Sequence, residues 1–257
     1  MTTIKEIKEK LAKETSWQNW MDELEKDART GVQNALNTWR RTQVKQQKLF
    51  DEHYAKLAFD ESFRNDKIVL IAGTDEAGRG PLAGPVVTAA VILPNDACEN
   101  LIGLNDSKQL SHEKREEFID KIMDTAVATA VHFQSVNVID DINIYEATRQ
   151  SMKASIENLA IPPDYVLADA MTLDIEIAQS SIIKGDAKSL AIAAASILAK
   201  TARDHYMEEM DVKYPGYGFA QHAGYGTKQH LEAINHLGVT PIHRKTFEPI
   251  KTMLSKG

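Results

Sequence analysis

The chain is poor in cysteine, in long apolar runs and in the loops that mark nucleotide-dependent ATPases. One cysteine, Cys98, among 257 residues allows no internal disulfide and no cysteine-based zinc site. No apolar run approaches the roughly 18 residues of a membrane helix, which excludes a membrane protein. The N-terminus, MTTIKEIKEKLAKE, interleaves acids and bases where a signal peptide would have an apolar core, so a cytoplasmic protein is expected. GxxxxGK followed by Ser or Thr occurs nowhere, so the chain has no P-loop. There is no GxSxG, and Cys98 lies in the acidic loop NDACEN, where a thiolate is disfavoured. The eight histidines form neither HExxH nor a cysteine-paired pattern and read as surface or packing residues.

What is present divides the chain. Residues 1–66 contain no proline and one glycine, and carry apolar residues at helical spacing: Ile4, Ile7, Leu11, then Trp17, Trp20, Met21, Leu24, then Leu36, Trp39, Phe50, Tyr54 and Leu57. Three helices are expected, the second capped by Ser16 and the third running from about Val32 toward Phe59. This N-terminal helical extension (residues 1–66) reads as a packing or docking module. From Lys67 the texture changes to short β-branched runs, KIVLIAGT, GPVVTAAVIL, VATAVHFQSV, YVLAD and SSIIKGD, separated by the helical patterns HEKREEFIDKIMDTA and IYEATRQSMKASIENL. A long helix is expected from Lys188 to about Lys213. Strands first, then strand and helix alternating, imply an α/β domain over residues 67–257, with a central mixed β-sheet flanked by helices.

The formal charge is −7, against a protein that holds nucleic acid by bulk charge. Its distribution is uneven: residues 67–183 carry 8 Lys and Arg against 18 Asp and Glu, whereas residues 184–257 carry 10 against 7. A polyanion would meet the C-terminal third, and the acidic middle would need cations.

The most informative stretch is GTDEAGRGPLAG, residues 73–84. It follows an apolar strand, but the next segment is strand-like, so it is not a dinucleotide-binding turn, which must open a helix. What survives is an acidic pair at a strand end, Asp75 and Glu76, followed by a Gly-Arg-Gly whose backbone can approach a phosphate or sugar closely. Asp169 ends YVLAD, and Asp186 stands at the strand-to-helix turn before SLAIAAASILAK. Four carboxylates brought to one sheet edge would repel one another without a cation, and carboxylate oxygens are the ligands that Mg²⁺ or Mn²⁺ prefers.

GTDEAGRGPLAGPVV, LNDSKQLS, YVLADAM, KGDAKSLAIAAASILAKTARD, YPGYGF and GYGTKQHL occur in order and spacing such that the chain resembles bacterial ribonuclease HII, from about Ile68 to Leu254. The resemblance implies a ribonuclease H-like fold and a metal-dependent endoribonuclease. Its four metal-binding, catalytic acids map onto Asp75, Glu76, Asp169 and Asp186, with two Mg²⁺ or Mn²⁺ ions during catalysis. Its substrate-binding loop maps onto Gly78, Arg79 and Gly80, which would read a 2′-hydroxyl, and its substrate tyrosine maps onto Tyr225, whose ring would lie against the neighbouring deoxyribose. Arg79, Ser107, Lys108 and Lys184 are candidate contacts to backbone phosphates. The partner is then nucleic acid, either an RNA/DNA hybrid or duplex DNA containing ribonucleotides, with no membrane.

Two departures stand out. Many relatives have His-Lys-Gly-Tyr where this chain has His222-Ala223-Gly224-Tyr225, and Thr201 replaces the commoner residue in AKTARD. The related ribonuclease HIII usually has Gly-Lys-Gly, lacks this tyrosine and carries a β-rich N-terminal domain, so Arg79, Tyr225 and a helical N-terminus favour HII. Two rivals of other classes stay open: a hybrid-binding module without catalysis, which would not need four convergent acids, and a metal-dependent phosphatase or phosphotransferase for small nucleotides, which would share the acids but not need Arg79 and Tyr225.

Overall fold

The computed structural model describes residues 2–96, 98–105, 107 and 110–255. They divide into two compact units, Met1–Tyr54 and Ala55–Gly257.

The first unit holds α1 (Ile4–Leu11), α2 (Met21–Glu25) and the N-terminal part of α3 (Thr30–Glu61). Thr3 caps α1 in a capping box: its hydroxyl accepts from the Glu6 N–H while the Glu6 carboxylate accepts from the Thr3 N–H at 2.7 Å. Ile7, Leu11, Met21, Leu24, Val32 and Leu36 form its core. The helical spacing of these residues in the sequence therefore marks one buried face. Ser16 does not cap the second helix. That helix starts five residues later at Met21, and the Ser16 hydroxyl accepts from the Gln18 amide instead.

The second unit is built on a five-stranded sheet of β1 (Ile71–Ala77), β2 (Val86–Ile92), β3 (Ala128–Gln134), β4 (Tyr165–Asp169) and β5 (Ala178–Ile182), in the order β3-β2-β1-β4-β5. β2 pairs antiparallel with both β1 and β3, whereas β4 pairs parallel with β1 and β5 parallel with β4. The helices are α4 (His112–Thr125), α5 (Val136–Ile142), α6 (Ile144–Glu157), α7 (Gly185–Lys188), α8 (Leu190–Lys213), α9 (Phe219–His222), α10 (Lys228–Leu237) and α11 (Ile250–Ser255). The α/β architecture expected from the sequence, a mixed sheet flanked by helices with helices at the N-terminus, is the one observed. The expected strand VATAVHFQSV is shorter than its apolar run: it stops at Gln134, and Ser135 turns the chain by accepting from the Val138 N–H to start α5.

On one face of the sheet lies α8, whose Ala191, Ala193, Ala194 and Ala195 are buried with Ala77, Ala89 and Val91. These small residues let helix and sheet approach so closely that a Cβ at Gly73 would sit 2.2 Å from the Ala191 carbonyl carbon. Only glycine fits there. On the other face α6 contributes Met152 and Ile156 to a second core with Ala72, Ala90 and Val166. Thr201, the departure within AKTARD, is buried inside α8, as a packing position would be.

The end of α3 belongs to this second unit. Asp60 is buried and accepts from the Leu190 and Ala191 N–H groups at 2.9 and 3.0 Å, capping the start of α8 from outside its own chain segment. Burial raises the Asp60 carboxyl to about 6 against the opposing effect of these bonds. No helix among the described residues is long and apolar enough to cross a membrane.

Candidate active site

β1 carries the site. Its register with β4 is parallel, Thr74 opposite Ala168, so the next residues on the two strands, Asp75 and Asp169, emerge side by side at the carboxyl ends of adjacent parallel strands, the usual place for ligands in such sheets. Asp75, Glu76 and Asp169 each offer a carboxylate oxygen, and these oxygens all lie within 4.8 Å of one another. Asp75 is 5% exposed. Burial, and then the charges of Glu76 and Asp169, hold its carboxyl well above the usual carboxylate range, opposed by the Ser196 hydroxyl and by the Glu76 N–H, which donates at 2.7 Å.

Asp186, the fourth expected acid, lies in the first turn of α7 and is half-buried. It is not among the three clustered carboxylates, but the preceding residue touches them: the Gly185 N–H donates to Asp169 Oδ1 at 2.6 Å. A Cβ at Gly185 would meet Ile192 Cδ1 at 2.6 Å and Asp169 Oδ1 at 3.1 Å, so the turn packs closely against α8 and the end of β4.

The other expected contacts fall into three groups. Arg79 and Gly80 are exposed, and Arg79 donates to Glu76 Oε1 at 3.3 Å, beside the acids. Tyr225 is 48% exposed, and among the described residues its ring is what a Cβ at Gly80 would meet, at 3.6 Å from Tyr225 Cε1. The two segments that the sequence separates by 145 positions thus approach each other at one spot. Gly78 has a different reason to be glycine. Its φ is +90°, and a Cβ would sit 2.0 Å from the Arg203 Nε.

Lys184 is exposed at the turn into α7, with φ +56°. Lys108 lies outside the described residues. Ser107 is buried. It is 3% exposed, and its hydroxyl lies 3.1 Å from that of Ser196, which in turn bonds Asp75. Ser107 thus supports the acid from behind. Arg115 anchors this segment by donating to the Ser107 and Leu110 carbonyls at 3.3 and 2.8 Å.

Sequence reading missed the residues that hold these loops in place. Arg203 and Arg244 are fully buried, and their guanidinium groups donate to backbone carbonyls: Arg203 to Ala83, Pro85 and Ala223, Arg244 to Gly78, Arg79 and Gly84. Burial lowers them to about 10 and about 9 respectively, so both remain cationic at neutral pH beneath the Gly78–Gly80 loop. Ala223, where many relatives hold lysine, adopts φ +47° with its carbonyl on Arg203. His222, His230 and His243, read from sequence as surface or packing residues, are buried below the Tyr225 loop. A buried arginine or histidine carries no local signal, because its neighbours in sequence are those of a surface one.

Burial, followed by the charge of His230, lowers His243 to about 4. A histidine in the unfolded chain has a pKa of about 6.5. As pH falls through that value the unfolded chain takes up the proton first, so stability is present above pH ~6.5 and is lost down to about 4, by ~2–3 kcal/mol. Thermal unfolding between pH 7 and 4.5 should therefore show a steeper loss for the wild type than for His243→Asn. Parallel curves would refute the assignment.

Comparison with known proteins accords with this geometry. The ribonuclease HII family model matches residues 72–250, and the model of the ribonuclease HII N-terminal domain matches residues 3–64. The chain is 55% identical to a ribonuclease HII of Enterococcus faecalis over 228 residues, covering 89% of each chain, and 51% identical to that of Ligilactobacillus salivarius over 256 residues, covering 99% and 98%. Among solved structures it is similar to ribonuclease H2 from Pyrococcus horikoshii, with a TM-score of 0.64 at 29% identity over 73% of this chain and 98% of that one. Family models over both parts of the chain, and relatives that match it almost end to end, lead to one conclusion: this chain belongs to the ribonuclease HII family and is a metal-dependent endoribonuclease, a hydrolase of phosphodiester bonds.

Proposed function

We propose that this enzyme hydrolyses the RNA strand of RNA/DNA hybrids and cuts on the 5′ side of single ribonucleotides embedded in duplex DNA, leaving 3′-hydroxyl and 5′-phosphate ends. The observation that carries the proposal is the meeting of Tyr225 with Gly80 beside the carboxylates of Asp75, Glu76 and Asp169. A lone ribonucleotide differs from its neighbours by one hydroxyl. Its recognition therefore needs a close backbone approach at the ribose and a group that fits a deoxyribose next to it. Gly80 leaves room for the first, and the exposed Tyr225 ring flanks that room for the second.

The carboxylates fit a divalent cation. The Asp75 carboxyl is raised by burial and then by the charges of Glu76 and Asp169; a bound cation relieves that repulsion, and an all-oxygen donor set suits Mg²⁺ or Mn²⁺. Asp75, Glu76 and Asp169, with Asp186 from the neighbouring turn, are the residues that would hold it. Two such ions, when bound, would supply a polarised phosphate, an activated water and a stabilised leaving oxygen for in-line displacement. The protein's own part is positional: Ser196 and the Glu76 N–H orient Asp75, and the Gly185 N–H orients Asp169. The 2′-hydroxyl serves for recognition and not as nucleophile, hence linear 5′-phosphate products. Arg79 and Lys184, both exposed near the acids or the turn beside them, are assigned to the phosphate backbone. Residues 1–66 are assigned to the extension and residues 67–257 to the catalytic domain, with the end of α3 from Ala55 onward packed as part of the catalytic unit, in a cytoplasmic enzyme.

The deciding experiment uses a DNA duplex with one central ribonucleotide, in Mg²⁺ or Mn²⁺, with identification of the ends. Cleavage 5′ to the ribonucleotide is expected. Tyr225→Ala should reduce kcat/KM on this substrate about tenfold or more relative to a continuous hybrid. An enzyme that cuts long hybrids but leaves the lone ribonucleotide intact with either metal would refute the specificity and keep only the nuclease.

A further inference from the structure

Below the Tyr225 loop three imidazoles are packed together. His222 and His230 are stacked with centroids 4.5 Å apart, and His230 and His243 lie 5.2 Å apart. The stacked pair of Tyr217 and Phe219 packs beside them. Their chemistry fixes which nitrogen bears each proton. The Thr240 N–H donates to His243 Nδ1 at 2.8 Å, so that nitrogen accepts and the neutral ring carries its proton on Nε2. His243 Nε2 is 3.0 Å from His230 Nε2, which must then accept. The proton of His230 is left on Nδ1, 2.9 Å from the Tyr225 carbonyl oxygen, which can only accept. The result is a chain of hydrogen bonds of one polarity, from the Thr240 N–H through two rings to the backbone of Tyr225. Burial lowers both rings, His243 to about 4, so both are neutral at neutral pH and the chain is complete.

The segment that anchors this chain also grips the other loop. The Gly84 N–H donates to the Ile242 carbonyl and the Arg244 N–H to the Leu82 carbonyl, both at 2.8 Å. The Arg244 side chain donates to the Arg79 carbonyl at 2.9 Å and to the Gly78 carbonyl at 2.5 Å. Consecutive residues, His243 and Arg244, are thus tied to the two sides of the Tyr225–Gly80 contact.

We propose that His230 and His243 are positioning residues for selection of the lone ribonucleotide: their hydrogen-bonded rings set where Tyr225 stands against Gly80, while Arg244 holds the Gly78–Gly80 side of the same contact. The proposal rests on the reading of Tyr225 and Gly78–Gly80 as the elements that meet the substrate. The histidines touch no reacting atom, so their loss should alter the choice of substrate more than the chemical step.

The measurement is the ratio of kcat/KM on a duplex with one ribonucleotide to kcat/KM on a continuous hybrid, with thermal unfolding to confirm that each variant is folded. His230→Leu removes the donor to the Tyr225 carbonyl and should lower the ratio about tenfold, whereas His230→Asn, whose amide can stand where Nδ1 stood, should recover it to within about threefold. In a Tyr225→Ala background the same His230→Leu change should move the ratio by less than about twofold, because there is no ring left to position. Should His230→Leu fail to fold, His243→Asn is the second probe: its amide oxygen can still accept from Thr240 but cannot reach His230, and it should show the same loss of ratio. A folded His230→Leu or His243→Asn that slows both substrates equally, or neither, overturns the proposal. So does an undiminished effect on the ratio in the Tyr225→Ala background. If Tyr225→Ala alone leaves the ratio unchanged, the reading of Tyr225 falls and takes the proposal with it; if Tyr225→Ala shifts the ratio and the histidine variants do not, only the positioning role is lost.

Discussion

Asp75→Asn and Asp169→Asn should each lower kcat by about 10³-fold or more while leaving the affinity for an RNA/DNA hybrid in low salt within about threefold of the wild type. Both substitutions keep the size of the side chain and remove one negative charge from a cluster whose oxygens lie within 4.8 Å. Catalysis needs that charge to hold a cation, whereas binding of the duplex depends on backbone contacts elsewhere. Stability should move the opposite way. The Asp75 carboxyl is raised by burial and by Glu76 and Asp169, so its favourable contribution is present at low pH and is lost as pH rises through its folded value. At pH 7 the metal-free wild type carries that cost. Asp75→Asn should therefore melt higher than the wild type without metal. Millimolar Mg²⁺ should narrow the gap, because it binds the folded wild type more strongly than the variant. Turnover near the wild-type rate in both variants would eliminate these carboxylates as the catalytic cluster.

Truncation should show where the catalytic fold begins. A protein starting at Ala55 should unfold cooperatively and retain the site, whereas one starting at Asn65 should not. The ten residues between include Asp60, which caps α8, and Lys56, which donates to the Leu104 carbonyl and to Asn105 Oδ1, both at 3.2 Å. They also include Phe59 and Phe63, packed against the cluster of Ile71, Leu167 and Ile192. Loss of a cap costs ~1 kcal/mol and loss of a large packed aromatic ~3 kcal/mol or more, so together the deletions approach the 5–15 kcal/mol that stabilises a typical domain. Asp60→Ala alone should cost ~1–2 kcal/mol. A fragment from Asn65 with a sharp thermal transition would show that the end of α3 is dispensable to the catalytic unit.

This boundary illustrates what local sequence conveys. α3 is one helix, and nothing in its periodicity marks the division of the compact units between Tyr54 and Ala55. The strands were legible because β-branched runs bounded by glycine and proline have few alternatives, yet the last residues of VATAVHFQSV were not, because Ser135 as a helix cap outweighs the apolar Val136 as a strand residue.

The candidate acids were legible for the same local reason. A carboxylate at the end of an apolar strand stands out wherever the strand goes, and Asp75, Glu76 and Asp169 could be singled out without knowing that their strands are neighbours. Only the tertiary structure decided that they meet, through the parallel pairing of β1 with β4, and that Gly185, the residue before Asp186, bonds Asp169. The same holds for the support behind them. Ser107 and Ser196 lie 89 positions apart and join only in the folded chain, and Arg203 and Arg244 serve as clamps only because folding strips them of water and leaves loop carbonyls as their partners. A sequence by itself determines which residues are able to do chemistry. The burial that decides what each of them touches is a sum over contacts distant in the chain, and it exists only once the fold has formed.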